Sequence, residues 1–284
     1  WLIVRFSAMF LKDRPKIYHI AHGYHFSLNQ GLKKYIYLVP EKLTAHVSDH
    51  VMVMNNEDCL MAQKYKLFRH KLHNIDGIGI NRNRFKSITA EEKRMLRSCM
   101  GLADEDFVLV YVAEFSKRKN QQLLIKAFAH CSLKDCTLLL AGDGKELEKC
   151  KRLAEKLNQS SHIRFLGFVD DVPSLLAACD VAVSTSRSEG LPFNVIEAMG
   201  CGLPVIASDI KGHRELVEHG RTGLLFESGN MYKLAECMIS LYTANFEQKN
   251  LLREYGSAGA QKAEKYALEH VLPEIMNIYT DTTV

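Results

Sequence analysis

Residues 181–208 read VAVSTSRSEGLPFNVIEAMGCGLPVIAS, and the fold can be worked out from this stretch. The apolar run at 181–184 predicts a buried strand, and a polar turn with one glycine follows it. Helical spacing of the apolar residues predicts a helix at 193–199, and the run at 204–207 predicts a second strand. Two strands joined through a helix form the basic unit of a parallel sheet.

The same alternation continues on both sides of this unit. Further strands are predicted at 107–113, 137–141, 163–166 and 224–226, and further helices at 121–130, 145–157, 173–179, 213–219 and 231–242. Regular alternation predicts an α/β fold, in which a doubly wound parallel sheet is covered by helices on both faces. Such sheets bind ligands at the carboxyl ends of their strands, near the point where the strand order reverses.

The first part of the chain is shorter. It predicts strands at 16–21, 51–54 and 71–75, helices at 35–47 and 56–65, and a linker at 77–81. This is about half of a doubly wound domain, without the strands that would form the centre of its sheet. The chain begins at Trp1, which we interpret as an internal residue of a longer chain.

Composition excludes several classes of protein. The 284 residues are 47% hydrophobic and 25% charged, as in globular proteins, which argues against a disordered or collagen-like chain. No apolar run approaches the roughly 18–20 residues of a membrane-spanning helix. Residues 1–85 carry 13 Lys and Arg against 6 Asp and Glu, whereas residues 86–284 carry 24 against 27. The basic first part fits either an anionic partner, such as a membrane surface, or an ordinary solvated face.

The eight cysteines form no CxxC pair, so zinc and thioredoxin-type sites lack support. Single cysteines beside apolar residues are typical of buried core thiols, and we expect a reducing, cytoplasmic setting.

Two carboxylates stand out in the opening stretch. Glu189 lies in the turn, and Glu197 follows about one turn into the helix. The backbone N–H groups at the helix start (Phe193, Asn194, Val195) suit an anion, and a carboxylate can accept hydrogen bonds from neighbouring sugar hydroxyls. Alternatively, Glu189 is a solvated turn residue and Glu197 a favourable charge near the helix start. The glycine at position 190 indicates a backbone conformation that a residue with a side chain could not adopt.

The pattern EGLPxxxxEAM followed by GxPVIAS resembles the donor-site motif of glycosyltransferase family 4. The likeness extends to GIGINRNRF at 77–85, AGDG at 141–144, LGFVDDVPSLLAACDVAVSTS at 166–186 and GRTGLLF at 220–226. It implies a retaining, metal-independent enzyme with the two-domain GT-B fold, similar to bacterial exopolysaccharide and capsular polysaccharide glycosyltransferases.

The resemblance also implies roles for residues of the motif. Glu189 would contact the hydroxyls of the donor sugar as a catalytic residue, and Glu197 would hold the nucleotide ribose. Backbone amides near Phe193 and Asn194 would hold the diphosphate, with Gly190 and Leu191 in the same donor-binding segment.

A basic loop, AEFSKRKN at 113–120, follows the first strand of the second part. Cations facing a diphosphate would neutralise charge on the departing nucleotide. The family usually carries an Arg and then a Lys here; Lys119 matches the Lys, but Glu114 replaces the Arg. Lys117 or Arg118 could take over the phosphate contact, Glu114 could orient Lys119, or the cations could form a solvated loop. A related subgroup of polysaccharide glycosyltransferases also has Glu at this position.

Histidines follow the first predicted strand in the segment AHGYHF at 21–26. We expect His19, inside the strand, to be packed or partly buried. His22 matches the active-site His of the family, which contacts the donor sugar near the reacting carbon, and His25 is a weaker candidate. Stabilisation of an oxocarbenium-like state by the imidazole, or by a nearby carbonyl, remains open.

The predicted nucleotide pocket includes Gly142 and Gly144, where no GxGxxG fingerprint occurs. Phe168 either packs against the base, which the resemblance implies is uracil, or belongs to the core. A helix at 266–279, with Val271, Ile275 and Ile278 at helical spacing, would return to the first domain, and Pro273 should lie near a kink or a helix start.

The predicted organisation is therefore three segments. Residues 1–80 would be the later part of an acceptor domain, 81–265 the nucleotide-sugar domain, and 266–284 the returning helix. The predicted function is transfer of a hexose or N-acetylhexosamine from a nucleoside diphosphate sugar to a glycan or lipid-linked acceptor. The expected location is cytoplasmic, either free or peripheral on the inner face of the membrane. No nucleic-acid partner is expected. The alternatives are a nucleotide-sugar-binding protein without catalysis and a GT-B sugar epimerase.

Overall fold

The computed structural model describes residues 2–26, 31–247 and 250–281, so Trp1 and the end of the predicted returning segment lie outside the described residues. The strands are β1 Tyr18–Ala21, β2 His50–Val53, β3 Lys71–Asn74, β4 Phe107–Val112, β5 Cys136–Ala141, β6 Ile163–Gly167, β7 Val181–Ser184, β8 Val205–Ser208 and β9 Gly223–Phe226.

The α-helices are α1 Leu2–Ala8, α2 Tyr35–Thr44, α3 Asn56–Tyr65, α4 Ala90–Cys99, α5 Gln121–Cys131, α6 Leu147–Lys156, α7 Val172–Ala177, α8 Phe193–Gly200, α9 Lys211–Leu216, α10 Met231–Glu247, α11 Leu251–Ala263 and α12 Leu268–Thr280. Short 3-10 helices lie at Leu32–Lys34, Ala45–Val47 and Glu264–Tyr266. Within the described ranges, no helix is both long and apolar enough to cross a membrane.

The chain divides into two units. Unit 1 contains Trp1–Gly79, Glu189–Leu191 and Tyr266–Val284, and unit 2 contains Ile80–Ser188 and Pro192–Lys265. The functional roles predicted for the domains, acceptor and donor, stay predictions.

Unit 1 is built on the parallel sheet β1-β2-β3. All four residues of β2 are buried, because this strand lies between its two neighbours in the sheet. The side chains of Val51, Val53 and Met61 lie in its core and are inaccessible to solvent. The Asn55 side chain accepts a hydrogen bond from the Asp58 N–H and so begins α3 directly after β2.

Helix α12 belongs to unit 1. Its Tyr279 ring lies 4.8 Å from the Tyr18 ring, and Lys71 forms a 2.6 Å ion pair with Asp281 just after the helix. Val271 and Ile278 are buried, as their spacing predicts. Pro273 lies inside the helix, five residues after its first residue, so the expectation that it begins a helix is wrong.

Unit 2 contains a six-stranded parallel sheet in the order β6-β5-β4-β7-β8-β9. Strands β5 and β6 follow one another on one side of β4, and β7, β8 and β9 follow one another on the other side, so the strand order reverses between β4 and β7. Strand β4 is central, and its residues 107–111 are buried beneath helices. The predicted α/β class and doubly wound sheet are confirmed.

Helices α1, α4 and α11 were not predicted. Helix α4 is largely polar; Thr89 and Glu92 begin it with a reciprocal capping box, and the helix inserts Arg97 beside Ala178 and Asp180. Helix α11 contains Gly256 and Gly259, which lower intrinsic helix propensity but allow close packing. Tertiary contact therefore outweighs local propensity in α11, whereas α4 has a favourable local sequence but only a narrow apolar face.

The cysteine prediction is partly correct. All eight cysteines are free thiols; Cys136, Cys150, Cys179 and Cys201 are buried, whereas Cys99 is exposed. Burial raises the pKa of the Cys136 thiol to about 12, so this group behaves as an apolar core side chain.

Candidate active site

The strand reversal in unit 2 brings two loops to one sheet edge. Strands β4 and β7 pair through Leu109–Val181 and Val110–Ala182, and each is followed by a loop that carries predicted site residues. The loops are bonded to each other, because the Arg187 N–H donates to the Arg118 carbonyl at 2.8 Å. The basic loop and the segment leading to α8 are therefore neighbours in the folded unit.

Helix α8 begins at this edge. The Asn194 side-chain amide donates to the Val112 carbonyl at 3.1 Å, which fixes the helix start beside the end of β4. Pro192 precedes the helix and provides no side-chain cap. The Val195 N–H donates to the Pro192 carbonyl at 3.1 Å, so the expectation that it is free for an anion is wrong. The predicted anion contacts of Phe193 and Asn194 stay predictions.

Glu197 is a partly buried carboxylic acid in α8. Burial raises its pKa to about 7, although the charge of Arg84 acts in the opposite direction. The group therefore changes charge near neutral pH. A ligand that donates hydrogen bonds to the carboxylate would favour its ionised form.

Lys119 and its neighbours differ in burial. Lys119 is 9% exposed, whereas Lys117, Arg118 and Glu114 are exposed. The Glu114 carbonyl accepts a 2.8 Å hydrogen bond from the Gln121 side chain, and one guanidinium nitrogen of Arg118 donates to the Ser188 carbonyl at 3.2 Å. The structure thus separates one enclosed cation from two exposed ones.

Lys117 lines a cavity of about 800 Å³ in unit 2. Three other cationic side chains, those of Lys126, Lys149 and Arg187, line the same cavity, and the Glu146 carboxylate pairs with Lys149 at 3.0 Å. The lining of this cavity therefore has four cationic side chains and one carboxylate.

Gly142 and Gly144 allow the loop after β5 to approach the loop after β4. Both have left-handed φ values, 133° and 144°. A side chain on Gly142 would collide with the Ala113 carbonyl, and one on Gly144 with the Phe115 carbonyl. These glycines are explained by backbone packing beside the basic loop; their predicted contact with a nucleotide stays a prediction.

Phe168 follows β6 and is 79% exposed, so the alternative that it belongs to the core is wrong. A large exposed aromatic ring is available for packing against a planar base. The predicted contact with uracil remains to be tested.

Unit 1 contains the two predicted catalytic residues. His22 is exposed and directly follows β1, and Glu189 is partly buried. The two segments touch, because a Cβ on Gly190 would collide with the His22 carbonyl and one on Gly23 would lie 2.8 Å from the Gly190 Cα. Gly190 does not adopt a left-handed φ, so the expected conformational reason for glycine is wrong. The reason is lack of space. Leu191, next along the chain, is 6% exposed.

The remaining histidines of this segment differ. His19 is 8% exposed, and burial together with the nearby charge of Arg5 lowers its pKa to about 3, so it is neutral, and its predicted packing is confirmed. His25 is exposed, and its ring lies 5.6 Å from the Tyr37 ring.

Asn55 was not predicted as a site residue. It is 1% exposed, and its Nδ2 donates to the Gly190 carbonyl at 3.1 Å and to the Asp58 carboxylate at 2.7 Å. The signal in the sequence is an Asn directly after a strand with Asp three residues later, which predicts a helix cap but not the contact with Gly190.

Among the residues with described positions, no group of three or more His, Cys, Asp or Glu is arranged to hold a metal ion. The expectation of metal independence stays a prediction.

The two parallel-sheet units define an α/β protein of the GT-B class. Anabaena HepE, solved with UDP-glucose, superimposes with a TM-score of 0.83 at 24% identity, covering 98% of this chain and 75% of HepE. This likeness shows the fold.

Sequence comparison identifies the family. The family model described as "Glycosyl transferases group 1" matches residues 93–261. The putative glycosyltransferase EpsD of Bacillus subtilis is 34% identical over 268 residues, which cover 93% of this chain and 69% of EpsD. The N-acetyl-alpha-D-glucosaminyl L-malate synthase of Bacillus anthracis is 31% identical over 188 residues, which cover 66% of this chain and 48% of the synthase. The chain therefore belongs to the group 1 glycosyltransferases, a family of enzymes, and the predicted resemblance is confirmed.

Proposed function

We propose that this protein is a retaining glycosyltransferase that moves a hexose or N-acetylhexosamine from a UDP-sugar to a glycan or lipid-linked acceptor. The polysaccharide role, the cytoplasmic location and the contact with a membrane surface remain predictions of the sequence. The donor half of this proposal has the strongest structural support.

One observation carries the proposal. In unit 2, the start of α8 and the basic loop lie at the same sheet edge, joined by the bond from Asn194 to Val112 and by that from Arg187 to Arg118. A helix start and an enclosed cation at the same sheet edge would provide the positive potential that a diphosphate requires. Strand reversal at this edge is where doubly wound sheets bind nucleotides.

Different donor-site residues would contact different parts of the nucleotide. The Lys119 ammonium and the N–H groups of Phe193 and Asn194 would hold the diphosphate and neutralise charge as the nucleotide leaves. The Glu197 carboxylate would accept hydrogen bonds from the ribose hydroxyls. The exposed Phe168 ring would pack against the base, bordered by Gly142 and Gly144.

The predicted catalytic residues of unit 1 are His22 and Glu189. Glu189 would accept hydrogen bonds from hydroxyls of the donor sugar, and the His22 imidazole would lie near its reacting carbon. The direct packing of Gly190 against the His22 carbonyl supports a joint role, because a shift of either segment must move the other. Asn55 would hold the Gly190 carbonyl in place.

The comparisons support the choice of donor. HepE, whose fold this chain shares, has been solved with UDP-glucose. The synthase relative carries N-acetyl-alpha-D-glucosaminyl in its name. UDP-glucose and UDP-N-acetylglucosamine are therefore the first donors to test.

The decisive experiment measures UDP release from a panel of UDP-sugars, with and without lipid-linked and free glycan acceptors, in buffer containing a chelator. We expect acceptor-dependent UDP release and a product whose anomeric configuration, read by NMR, matches that of the donor. Binding without release would favour a non-catalytic protein. Release of an altered free sugar without acceptor would favour an epimerase.

A variant tests the donor site directly. Glu197→Ala should abolish UDP binding in calorimetry, because the ribose hydroxyls lose their acceptor. Glu148→Ala is the matched control, since Glu148 is an exposed helical carboxylate paired with Lys151 at 2.9 Å. Unchanged affinity in Glu197→Ala would contradict the assignment of this residue.

A further inference from the structure

A buried chain of hydroxyl groups lies behind the basic loop in unit 2. Tyr111 comes from β4, Thr185 and Ser186 follow β7, and Ser208 ends β8. None of these four residues is more than 2% exposed. They come from three separate parts of the chain: Thr185 and Ser186 are adjacent and end the stretch quoted at 166–186, and Ser208 ends the pattern GxPVIAS.

Two of these hydroxyls converge on the backbone of Lys119. The Tyr111 hydroxyl donates to the Lys119 carbonyl at 3.1 Å. The Thr185 hydroxyl lies 3.0 Å from the same carbonyl and 3.0 Å from the carbonyl of Asn120. Asn120 itself is left-handed, with φ 56°. Asparagine adopts this conformation more readily than most residues, and the Thr185 hydroxyl holds its carbonyl.

The proton directions in this chain are mutually consistent. Since the Tyr111 hydroxyl donates to Lys119, the Ser186 hydroxyl, 3.0 Å away, donates to Tyr111. The Ser208 hydroxyl donates in turn to the Ser186 carbonyl. The hydroxyls of Tyr111, Ser186 and Ser208 thus each donate to one acceptor. The Thr185 hydroxyl shares its single proton between two carbonyls.

A histidine stands behind the hydroxyls. The His213 Nδ1 lies 2.7 Å from the Ser208 carbonyl, so it carries the proton and donates. The Nε2 then accepts from the Ser184 hydroxyl at 3.0 Å. His213 is fully buried, so its ring ties the ends of β7 and β8 together.

We propose that Tyr111 and Thr185 are positioning residues for the donor diphosphate and act through Lys119. This inference rests on the proposed function, in which Lys119 contacts the diphosphate. The Lys119 ammonium can reach only as far from the backbone as its four-carbon stem allows, so fixing the backbone limits where the cation lies. Two hydroxyls on one carbonyl fix that backbone at the end of the loop, just before α5, and so hold the cation ready before the nucleotide arrives.

The test is a double-mutant cycle on the full chain, with UDP affinity measured by calorimetry. Tyr111→Phe removes only the hydroxyl and should weaken UDP binding by about threefold to tenfold. In a Lys119→Gln background, the same change should weaken binding by less than about twofold, because the cation through which Tyr111 acts is gone.

Tyr242→Phe is the matched control. The Tyr242 hydroxyl also donates to a backbone carbonyl in unit 2, that of Lys134, at 3.1 Å. Its loss should leave UDP affinity unchanged. Two substitutions at Thr185 test the same idea with Tyr111 unchanged. Thr185→Val should weaken UDP binding, whereas Thr185→Ser, which keeps the hydroxyl, should bind UDP as the wild type does.

Several outcomes would overturn the proposal. Wild-type affinity in both Tyr111→Phe and Thr185→Val would do so, as would equal losses with and without Lys119, which indicate a purely structural role. If Tyr111→Phe does not fold, the Thr185 pair decides by the same criteria. If the wild-type protein does not bind UDP, the proposed function fails together with this inference; if Lys119→Gln alone weakens binding, only this inference fails.

Discussion

Glu197 is a carboxyl group whose burial moves its pKa into the neutral range, so its charge changes near pH 7. Its carboxyl lies in the first turns of α8, where a helix start favours negative charge, but removal from water favours the neutral acid. The second effect is larger, and the pKa rises to about 7. Nucleotide binding and proton release should therefore be coupled at this residue.

The first prediction concerns the pH dependence of UDP affinity. Below pH 7 the free protein carries a proton on Glu197 that must leave before the carboxylate can accept ribose hydroxyls. We expect the ratio of the dissociation constants at pH 6 and pH 8 to be about tenfold larger for the wild type than for Glu197→Gln. Calorimetry at both pH values measures this ratio, and the variant cancels titration of the UDP phosphate. Equal ratios would contradict the prediction.

The same residue affects stability. A carboxyl with a raised pKa in the folded state stabilises most below its unfolded pKa, and this contribution is lost as pH rises through about 7. Glu197→Gln should therefore increase the free energy of unfolding at pH 8, by on the order of 2 kcal/mol, and have little effect at pH 5. Urea unfolding at the two pH values distinguishes this from a general packing effect.

Gly190 gives a third prediction at this scale. An Ala at this position would place its Cβ against the His22 carbonyl, so the two segments must separate. We expect Gly190→Ala to reduce sugar transfer by at least about tenfold, since small displacements at reacting groups are costly. Gly31→Ala is the control, because no atom lies within 4 Å of its added Cβ. UDP release measures both, and equal activities would refute the steric explanation.

At the scale of elements, α11 shows that tight packing can require residues of poor helix propensity. A Cβ on Gly256 would collide with the Gly202 carbonyl, whereas one on Gly259 would lie 3.6 Å from the Met199 Cγ, an ordinary contact. Both glycines are buried in the same helix. Substitutions at these two glycines therefore distinguish the effect of helix propensity from the effect of steric packing.

We predict opposite effects of alanine at these two positions. Gly259→Ala should stabilise the protein by about 0.5–1 kcal/mol, because alanine favours the helix. Gly256→Ala should destabilise it by about 1–3 kcal/mol, because the strain of the added methyl exceeds that gain. Thermal and urea unfolding measure both, and stabilisation by both substitutions would show that α11 can move away from Gly202.

At the scale of the whole molecule, the order of the strands decides where chemistry can occur. The reversal between β4 and β7 places two loops side by side that are about seventy residues apart in the chain; Thr185 and Lys119, which are bonded, are 66 residues apart. The segment 189–191, although flanked by residues of unit 2, is grouped with unit 1. One loop after β7 therefore supplies residues to both units.

The sequence alone determined the alternation of strands and helices, the doubly wound class and the family, because these depend on local periodicity and on short motifs. It also indicated Glu197, Lys119 and His22, which lie at strand ends or helix starts. It did not predict α4 and α11, whose local patterns are polar or rich in glycine.

Only the tertiary structure decided which groups are enclosed and which approach each other. It distinguished the buried Lys119 from the exposed Lys117 and placed Phe168 in solvent. It showed that position 190 requires glycine because the His22 carbonyl lies against it. It also joined Tyr111 and Thr185 to Lys119. These features depend on contacts between distant residues and on removal from water, and neither is encoded in the spacing of nearby side chains.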